Sequence, residues 1–204
     1  MYKTNINNTN INNTNIMKLI IVEGIDGAGK DTLIRQISTL EPNNIIRHFS
    51  FPKGNSNTER IKYQVKSFHN EFTFFKETLN NKAISDNSIM IWNRSHIGEM
   101  VYGTLYRQYN PEDWIINKEL EFNFHKLDNI YLIRLDIDAE FACSNDDGES
   151  FTSDVQSKKQ EIALFKRAID KSLIKNKLTI KVDEKGTFRN TEEIRREVFN
   201  FIGY

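Results

Sequence analysis

Short apolar runs alternate along this chain with longer stretches in which apolar residues recur every three or four positions. The short runs predict buried strands, over residues 19–22, 45–51, 88–92, 130–135 and 178–182. The longer stretches predict amphipathic helices, over residues 32–40, 58–80, 97–106, 115–127, 155–175 and 191–202. The alternation predicts a three-layer α/β fold, in which a parallel sheet of about five strands lies between two layers of helices.

The helix predicted over 58–80 carries the most regular apolar stripe of the chain. Spacings of three and four residues place the members of this stripe on one face of the helix. The members are Ile61, Val65, Phe68, Phe72, Phe75 and Leu79. We expect most of this face to lie in the core, although one aromatic ring could also form the wall of a binding pocket.

A glycine-rich segment joins the first predicted strand to the first predicted helix. It runs from Gly24 to Gly29, and Lys30 follows it directly. Glycines let backbone N–H groups surround phosphate oxygens, and the helix N-terminus adds a favourable partial charge. An ordinary glycine-rich turn is the alternative, but the strand and helix on either side are the context of a phosphate-binding P-loop. The pattern therefore predicts nucleotide binding, with Lys30 reaching the terminal phosphates of a nucleoside triphosphate.

The residue after Lys30 departs from the common P-loop pattern. A Ser or Thr hydroxyl usually binds magnesium at this position, whereas this chain has Asp31 and then Thr32. Asp31 could hold the metal through water, because Mg²⁺ gives up its hydration shell reluctantly. Alternatively, Thr32 could supply the hydroxyl from the next position.

Two further polar segments follow predicted strands, at residues 51–53 and 93–95. Ligands of parallel sheets bind beyond the carboxyl ends of the strands, where both segments would lie. Arg94 could hold a phosphate through two N–H groups, or it could form an ion pair with a carboxylate such as Glu99. Lys53 could add positive charge or simply be solvated. A P-loop opposite a second phosphate-binding cluster predicts phosphoryl transfer, which requires positioning and charge neutralisation.

Composition narrows the class of protein. The 204 residues are enough for one sizeable α/β domain, and equal numbers of basic and acidic residues, 28 each, favour neither nucleic acid nor an anionic membrane as a partner. No apolar run is as long as a membrane span, and the polar N-terminal segment lacks the apolar centre of a signal peptide. Cys143 has no second cysteine to pair with, so we expect a cytoplasmic or other reducing intracellular compartment.

The first sixteen residues form a separate region. Asn-Ile-Asn-Asn-Thr occurs twice over residues 5–14, and the stretch contains almost no charge. Such a segment buries too little apolar surface to offset its ordering entropy, so we expect residues 1–16 to be a disordered tail. The P-loop domain would span 17–204.

The P-loop carries a resemblance to a known family. Residues 23–30, Glu-Gly-Ile-Asp-Gly-Ala-Gly-Lys, resemble the P-loop of thymidylate kinases. Phe51-Pro52 resembles the segment after the second strand in that family, and residues 93–95, with Tyr102 beyond them, are similar to its Asp-Arg-Tyr segment. Residues 95–99 and 102–107 look more like viral and phage deoxynucleoside monophosphate kinases of the same superfamily.

The resemblance implies a set of site residues, with ATP and Mg²⁺ as cofactors. ATP would contact Gly24, Ile25, Asp26, Gly27, Ala28, Gly29, Lys30, Asp31 and Thr32, with the metal held through water by Asp31 or Thr32. The acceptor would contact Asp26, Phe51, Pro52, Lys53, Phe68, Arg94 and Tyr102. Lys30 and Arg94 would be the catalytic residues.

The resemblance also assigns roles within the acceptor site. Asp26 would bind the sugar 3′-hydroxyl, and Arg94 would hold the acceptor phosphate and neutralise charge in the transition state. Tyr102 would disfavour a ribose, and Phe68 would stack on the base. For Tyr102 and Phe68, ordinary core packing is the alternative.

The expected activity is ATP-dependent phosphorylation of a nucleoside monophosphate, dTMP or another deoxynucleotide. Asn93 stands where the family has an acid, and residues 143–157 contain no arginine, although the family usually draws one from this lid; Arg134, Lys158 or Lys159 could replace it. A deoxynucleoside kinase, or a nucleotide-binding protein without catalysis, are the alternatives. Thymidylate kinases are typically homodimers, so a homodimer is possible.

Overall fold

A computed structural model describes residues 17–49, 51–86, 88–146, 148 and 150–204 of the chain. The predicted tail, residues 1–16, lies outside the described residues. Five parallel strands form one sheet in the order β2-β3-β1-β4-β5, which confirms the predicted α/β fold with its parallel sheet of about five strands. The strands are β1 (Lys18–Glu23), β2 (Asn43–His48), β3 (Ser88–Asn93), β4 (Ile130–Asp136) and β5 (Asn176–Lys181).

Eight helices accompany the sheet within the described part of the chain. They are α1 (Lys30–Ile37), α2 (Asn57–Asn80), α3 (Lys82–Ser85), α4 (His96–Tyr106), α5 (Glu112–Glu121), α6 (Ala139–Ser144), α7 (Val155–Lys171) and α8 (Thr191–Ile202). A 3₁₀ turn (Phe124–Lys126) follows α5, and a two-stranded hairpin of β6 (Asp183–Glu184) and β7 (Thr187–Phe188) follows β5. Among these helices, none is both long and apolar enough to cross a membrane.

The central strands are buried along nearly their whole length. Residues 19–23 of β1 and all six residues of β3 are buried, as expected for strands covered by helices on both faces. The predicted stripe of α2 supplies Phe68, Phe72 and Phe75 to this core, and Phe72 and Phe75 pack edge-on against Trp92 of β3. Ile61, Val65 and Leu79, the remaining members, are only half-buried.

Several predicted helix ends differ from the structure, and two of the differences have a clear local cause. The α1 helix spans Lys30–Ile37 instead of 32–40, and α5 begins at Glu112 instead of residue 115. The α5 helix ends at Glu121 instead of residue 127, because Asn123 adopts a left-handed conformation at φ 59°. The α7 helix ends at Lys171 instead of residue 175, because Ser172 Oγ and the Leu173 N–H both donate to Glu119. The last helix, α8, spans the predicted 191–202, and its N-cap is Asn190, which accepts from the Glu192 N–H.

The carboxyl end of the sheet carries the polar segments singled out in the sequence. The P-loop joins β1 to α1, and Arg94 and Ser95 join β3 to α4. The fully buried Glu23 fixes these two connections together, because its carboxylate accepts from Ser95 Oγ at 2.6 Å and from the Gly98 N–H at 3.1 Å. Burial raises the pKa of Glu23.

Candidate nucleotide-binding site

The P-loop requires glycine at the positions where the chain turns most sharply. Gly24 has φ 147°, and a Cβ atom there would lie 2.7 Å from the carbonyl oxygen of Leu135. Gly29, at φ 83°, occupies the N-cap of α1 without a capping side chain. The first turn of α1 therefore presents unpaired N–H groups toward the loop, as an anion-binding helix terminus does.

Lys30 lies inside the curve of the P-loop. Its ammonium group donates to the carbonyl oxygens of Gly24 at 2.9 Å and Ile25 at 2.7 Å, and it lies 3.9 Å from the Asp26 carboxylate. Burial, together with the positive charge of Arg94, lowers the pKa of Lys30 to about 8. The side chain is thus a buried donor whose charge is stabilised by carbonyls and a carboxylate that phosphate oxygens could replace.

Arg94 forms an ion pair with Asp26, and not with Glu99 as its alternative role suggested. Burial opposes the charge on Arg94, but the Asp26 carboxylate outweighs it and raises the pKa of the guanidinium. Arg94 also has φ 66°, an uncommon value for a residue with a side chain. The strand end therefore holds Arg94 in an unusual conformation that places its guanidinium beside the P-loop.

Asp31 and Asn93 are direct partners across the site. The Asn93 amide nitrogen donates to Asp31 Oδ1 at 2.7 Å and lies 3.0 Å from His48 Nδ1. Because a carboxylate only accepts, this contact turns the amide oxygen of Asn93 away from Asp31. That oxygen is buried and has no hydrogen-bond partner in the described part of the chain.

The Asp31–Asn93 pair suits a hydrated magnesium ion. A carboxylate and an amide oxygen are hard ligands of the kind that Mg²⁺ binds directly or through water. Within the described residues, no cluster of three or more His, Cys, Asp or Glu side chains could hold a metal alone. A metal at this site would therefore depend on nucleotide phosphates for its remaining ligands.

A cavity of about 350 Å³ opens beside Arg94. This volume is within the range of small-molecule sites. Its lining contains the predicted acceptor residues Asp26, Phe51, Pro52, Phe68, Arg94 and Tyr102. Lys53 is exposed and is not part of the lining.

Phe68 and Tyr102 both pack against the core and line the cavity. Phe68 is buried and stacks on Phe49 at a centroid distance of 5.2 Å, so it is a core residue that also forms part of the cavity wall. The Tyr102 hydroxyl is buried without a partner among the described residues, and burial raises its pKa.

Phe151 closes one side of this cavity. Its backbone N–H donates to Asp26 Oδ2 at 3.2 Å, and its ring packs on Tyr106 at 4.2 Å and on Phe51 at 5.9 Å. Asp147 and Glu149, in the predicted lid loop, lie outside the described residues. The described end of that loop therefore contributes an aromatic cover, and its only polar contact with Asp26 comes from the backbone.

The three candidate replacements for a lid arginine have other partners. Arg134 pairs with Asp136, and the exposed Lys159 donates to Glu140 at 3.2 Å. Lys158 is fully buried, with its ammonium group 3.8 Å from the Asp146 carboxylate. None of the three lines the cavity beside Arg94.

A second cavity, of about 240 Å³, lies on the other side of the P-loop. Ala28, Gly29 and Thr32 form one wall of it, and Phe188 and Arg189 of the β6–β7 hairpin form another. Its lining is mostly apolar, which suits the base of a nucleotide whose phosphates lie on the P-loop. Sequence reasoning missed this wall, because a hairpin of two-residue strands gives no periodic signal.

Sequence reasoning also missed part of the first cavity. Gln64, Glu99 and Arg107 line it in addition to the predicted residues. A signal for Gln64 was present, because it is a polar residue on the apolar stripe of α2, four residues before Phe68. Glu99 and Arg107 end the two segments, 95–99 and 102–107, that resemble deoxynucleoside monophosphate kinases, but no role was predicted for either side chain in the cavity.

Comparisons with known proteins agree with the architecture. Neither a protein-family model nor a curated protein sequence matches this chain. Among solved structures, thymidylate kinase from Candida albicans aligns over 92% of this chain and 91% of its own, with a TM-score of 0.62 and 14% identity. The YorR protein of Bacillus subtilis, solved in complex with phosphorylated GDP, aligns over 90% of this chain and 95% of its own, with a TM-score of 0.55 and 17% identity.

The chain has the fold of P-loop nucleotide kinases. At such low sequence identity, the structural similarity is evidence for the fold alone. The resemblance to viral and phage enzymes, and the individual roles of the site residues, therefore stay predictions.

Proposed function

We propose that this protein transfers the γ-phosphoryl group of ATP to the 5′-phosphate of a deoxynucleoside monophosphate such as dTMP. The observation that carries this proposal is the placement of Lys30 and Arg94 beside the same oxygen of Asp26, at the carboxyl edge of the sheet. One cation lies in a P-loop and the other lines a cavity of nucleotide size. Two phosphates bound there would approach each other beside Asp26.

The reaction requires the protein mainly to position the two phosphates and to neutralise their charge. An oxygen of the acceptor phosphate attacks the γ-phosphorus as the bond to the leaving ADP oxygen breaks. That oxygen is already ionised, so no general base is required, and an amide at Asn93 does not prevent the reaction. Arg94 stays cationic and would hold the acceptor phosphate, while Lys30 would bind the β- and γ-phosphates of ATP.

Magnesium would bind near Asp31 and Asn93 and would neutralise part of the charge of the triphosphate. Asp31 would orient the hydrated ion, and Asn93 would fix the Asp31 carboxylate through the 2.7 Å hydrogen bond. Tyr102 would pack against the sugar, where its ring limits the room for a 2′-hydroxyl. The fold comparisons support this proposal, since one neighbour is a thymidylate kinase and the other was solved with phosphorylated GDP.

The test is a coupled ADP-release assay with ATP and magnesium against deoxynucleoside monophosphates and thymidine. Turnover with at least one monophosphate is expected, falling roughly 100-fold or more in Lys30→Ala and Arg94→Ala, as for loss of a donor to developing charge. Lys66→Ala and Arg196→Ala remove exposed cations from α2 and α8 and should leave the rate unchanged.

Two outcomes contradict the proposal. Phosphorylation of thymidine but of no monophosphate would show a nucleoside kinase, in which Arg94 has no acceptor phosphate to bind. ATP-dependent thermal stabilisation without turnover of any acceptor would show a nucleotide-binding protein without catalysis.

A further inference from the structure

Four polar side chains that none of the roles above uses lie together at the cavity wall. Gln64, Glu99 and Arg107 are 7%, 3% and 4% exposed, and all three line the cavity. The Tyr109 hydroxyl donates to Glu99 from behind them. Burying polar groups is costly unless they are paired, so a buried polar cluster at the wall of a ligand-sized cavity indicates a recognition function.

The Glu99 carboxylate fixes the orientation of the Gln64 amide. The amide nitrogen of Gln64 lies 3.1 Å from Glu99 Oε2, and a carboxylate can only accept hydrogen bonds. The amide nitrogen must therefore face Glu99, and the amide oxygen must face away from it. No described residue donates a hydrogen bond to that oxygen.

The same carboxylate fixes the Arg107 guanidinium. Arg107 Nε donates to Glu99 Oε1 at 3.2 Å, and the terminal nitrogen Nη2 donates to Glu99 Oε2. The other terminal nitrogen, Nη1, has no partner among the described residues. The cluster therefore offers the cavity an oriented acceptor on Gln64 and a donor on Arg107.

The Gln64 acceptor and the Arg107 donor would lie near the edge of a base that stacks on the Phe68 ring. Gln64 and Phe68 are four residues apart on the buried face of α2, so Gln64 lies one helical turn from the aromatic wall. A base stacked against Phe68 would extend its edge toward the level of Gln64, while the phosphate lies at Arg94.

We propose that this cluster selects keto bases over amino bases, and this inference rests on the proposed function. Guanine, thymine and uracil each present a carbonyl oxygen next to a ring N–H. The carbonyl would accept from Arg107, and the ring N–H would donate to the Gln64 oxygen. Adenine and cytosine present an amino group and a ring nitrogen lone pair instead, so donor would meet donor and acceptor would meet acceptor.

Two matched pairs of monophosphates isolate this difference. dIMP differs from dAMP, and dUMP from dCMP, in the keto or amino group and the proton on the adjacent ring nitrogen. We expect kcat/KM to favour the keto member by roughly 10- to 100-fold in every pair that is turned over, because a mismatched base leaves buried polar groups unpaired. Equal or better turnover of the amino member would overturn the proposal.

Gln64→Leu removes the oriented acceptor, and Asn70→Leu is its control, since Asn70 is an exposed amide on the same helix. The keto-to-amino ratio should fall toward one in Gln64→Leu and stay unchanged in Asn70→Leu. A purely structural role of Gln64 would lower both rates together and leave the ratio intact, which would also overturn the proposal.

Binding measurements separate this inference from the proposed function. If no monophosphate is phosphorylated, calorimetric Kd values for the same four ligands should still favour the keto members in the same range. Binding without that preference, or no binding of any of the four, would overturn the base selectivity whatever the fate of the kinase activity.

Discussion

Replacing Asn93 with Asp would place two carboxylates in hydrogen-bond contact in the absence of metal. The Asn93 nitrogen lies 2.7 Å from Asp31 Oδ1, so the new carboxylate oxygen would meet a like charge at about the same separation. The site would also lose a charge-assisted hydrogen bond, worth about 1.5–3 kcal/mol in a typical protein.

The magnitude depends on solvent exposure at the pair. At a separation of about 3 Å, Coulomb repulsion is about 5 kcal/mol for an effective dielectric constant of 20 and about 1.4 kcal/mol in water. Because Asp31 is exposed and Asn93 is buried, we take the interval between these limits and allow for relaxation of Asp31 toward solvent. The expected loss of unfolding free energy is roughly 2–4 kcal/mol, a fall in Tm of roughly 5–15 °C for a domain of this size.

The assay is thermal unfolding of Asn93→Asp in EDTA at pH 8, well above the ordinary pKa range of carboxyl groups. Repulsion raises the pKa of one carboxyl in the folded variant, so the destabilisation is full above that raised pKa and disappears as the pH falls below the ordinary carboxyl range. Added magnesium should recover part of the loss.

Two variants make the test specific. Asn190→Asp keeps the cap of α8, where Asn and Asp are equivalent, and should leave Tm unchanged. The double variant Asp31→Ser/Asn93→Asp again contains a single carboxylate and should recover most of the stability. A Tm of Asn93→Asp in EDTA equal to that of the unaltered protein would refute this reasoning.

Three further predictions follow from other contacts. The pKa of Lys30, lowered to about 8 in the free protein, should rise when phosphates surround it, so ATP affinity should fall by up to tenfold per pH unit above pH 8. Calorimetry of ATP binding in two buffers that shows no proton uptake at pH 8–9 would contradict this. Glu99→Ala leaves the charge of Arg107 buried without a partner and should lower the unfolding free energy by about 3–5 kcal/mol, measured as a lower urea midpoint. A midpoint equal to that of the unaltered protein would show that solvent reaches Arg107. Phe151→Ala removes the aromatic packing on Tyr106, worth about 0.5–1.5 kcal/mol, and should lower Tm by roughly 1–6 °C and raise the acceptor KM roughly 2- to 10-fold. An unchanged KM would mean that the ring does not cover the bound acceptor.

The sequence was sufficient for the parts of the fold that local patterns specify. Five apolar runs and the P-loop between the first strand and helix depend on residues close in sequence, and the structure has a strand at each run. The second strand was predicted over 45–51, but β2 spans Asn43–His48 and so begins and ends earlier. Helix ends were less predictable because distant groups decide them. The end of α7 is set by the Glu119 carboxylate, which lies 53 residues from Ser172 in the chain.

The site was predictable as a set of residues but not as a set of partners. The sequence suggested Glu99 as an example of a carboxylate that could pair with Arg94, and only the fold shows that Arg94 pairs with Asp26 while Glu99 pairs with Arg107. The choice follows from topology, because β1 and β3 are neighbouring parallel strands and their carboxyl ends bring Asp26 and Arg94 together.

The contact between Asp31 and Asn93 changes the meaning of two departures that look independent in the sequence. The common P-loop pattern has a hydroxyl after the lysine, and the family that the P-loop resembles usually has an acid at the end of the third strand. This chain has the acid at Asp31 and a neutral side chain at Asn93, and the two are hydrogen-bonded at 2.7 Å. The pair still carries one negative charge, on Asp31, while the Asn93 oxygen is buried and turned away from that carboxylate. Asn93 is therefore weak evidence for lost catalysis, since the negative charge that it lacks is present on the residue it contacts.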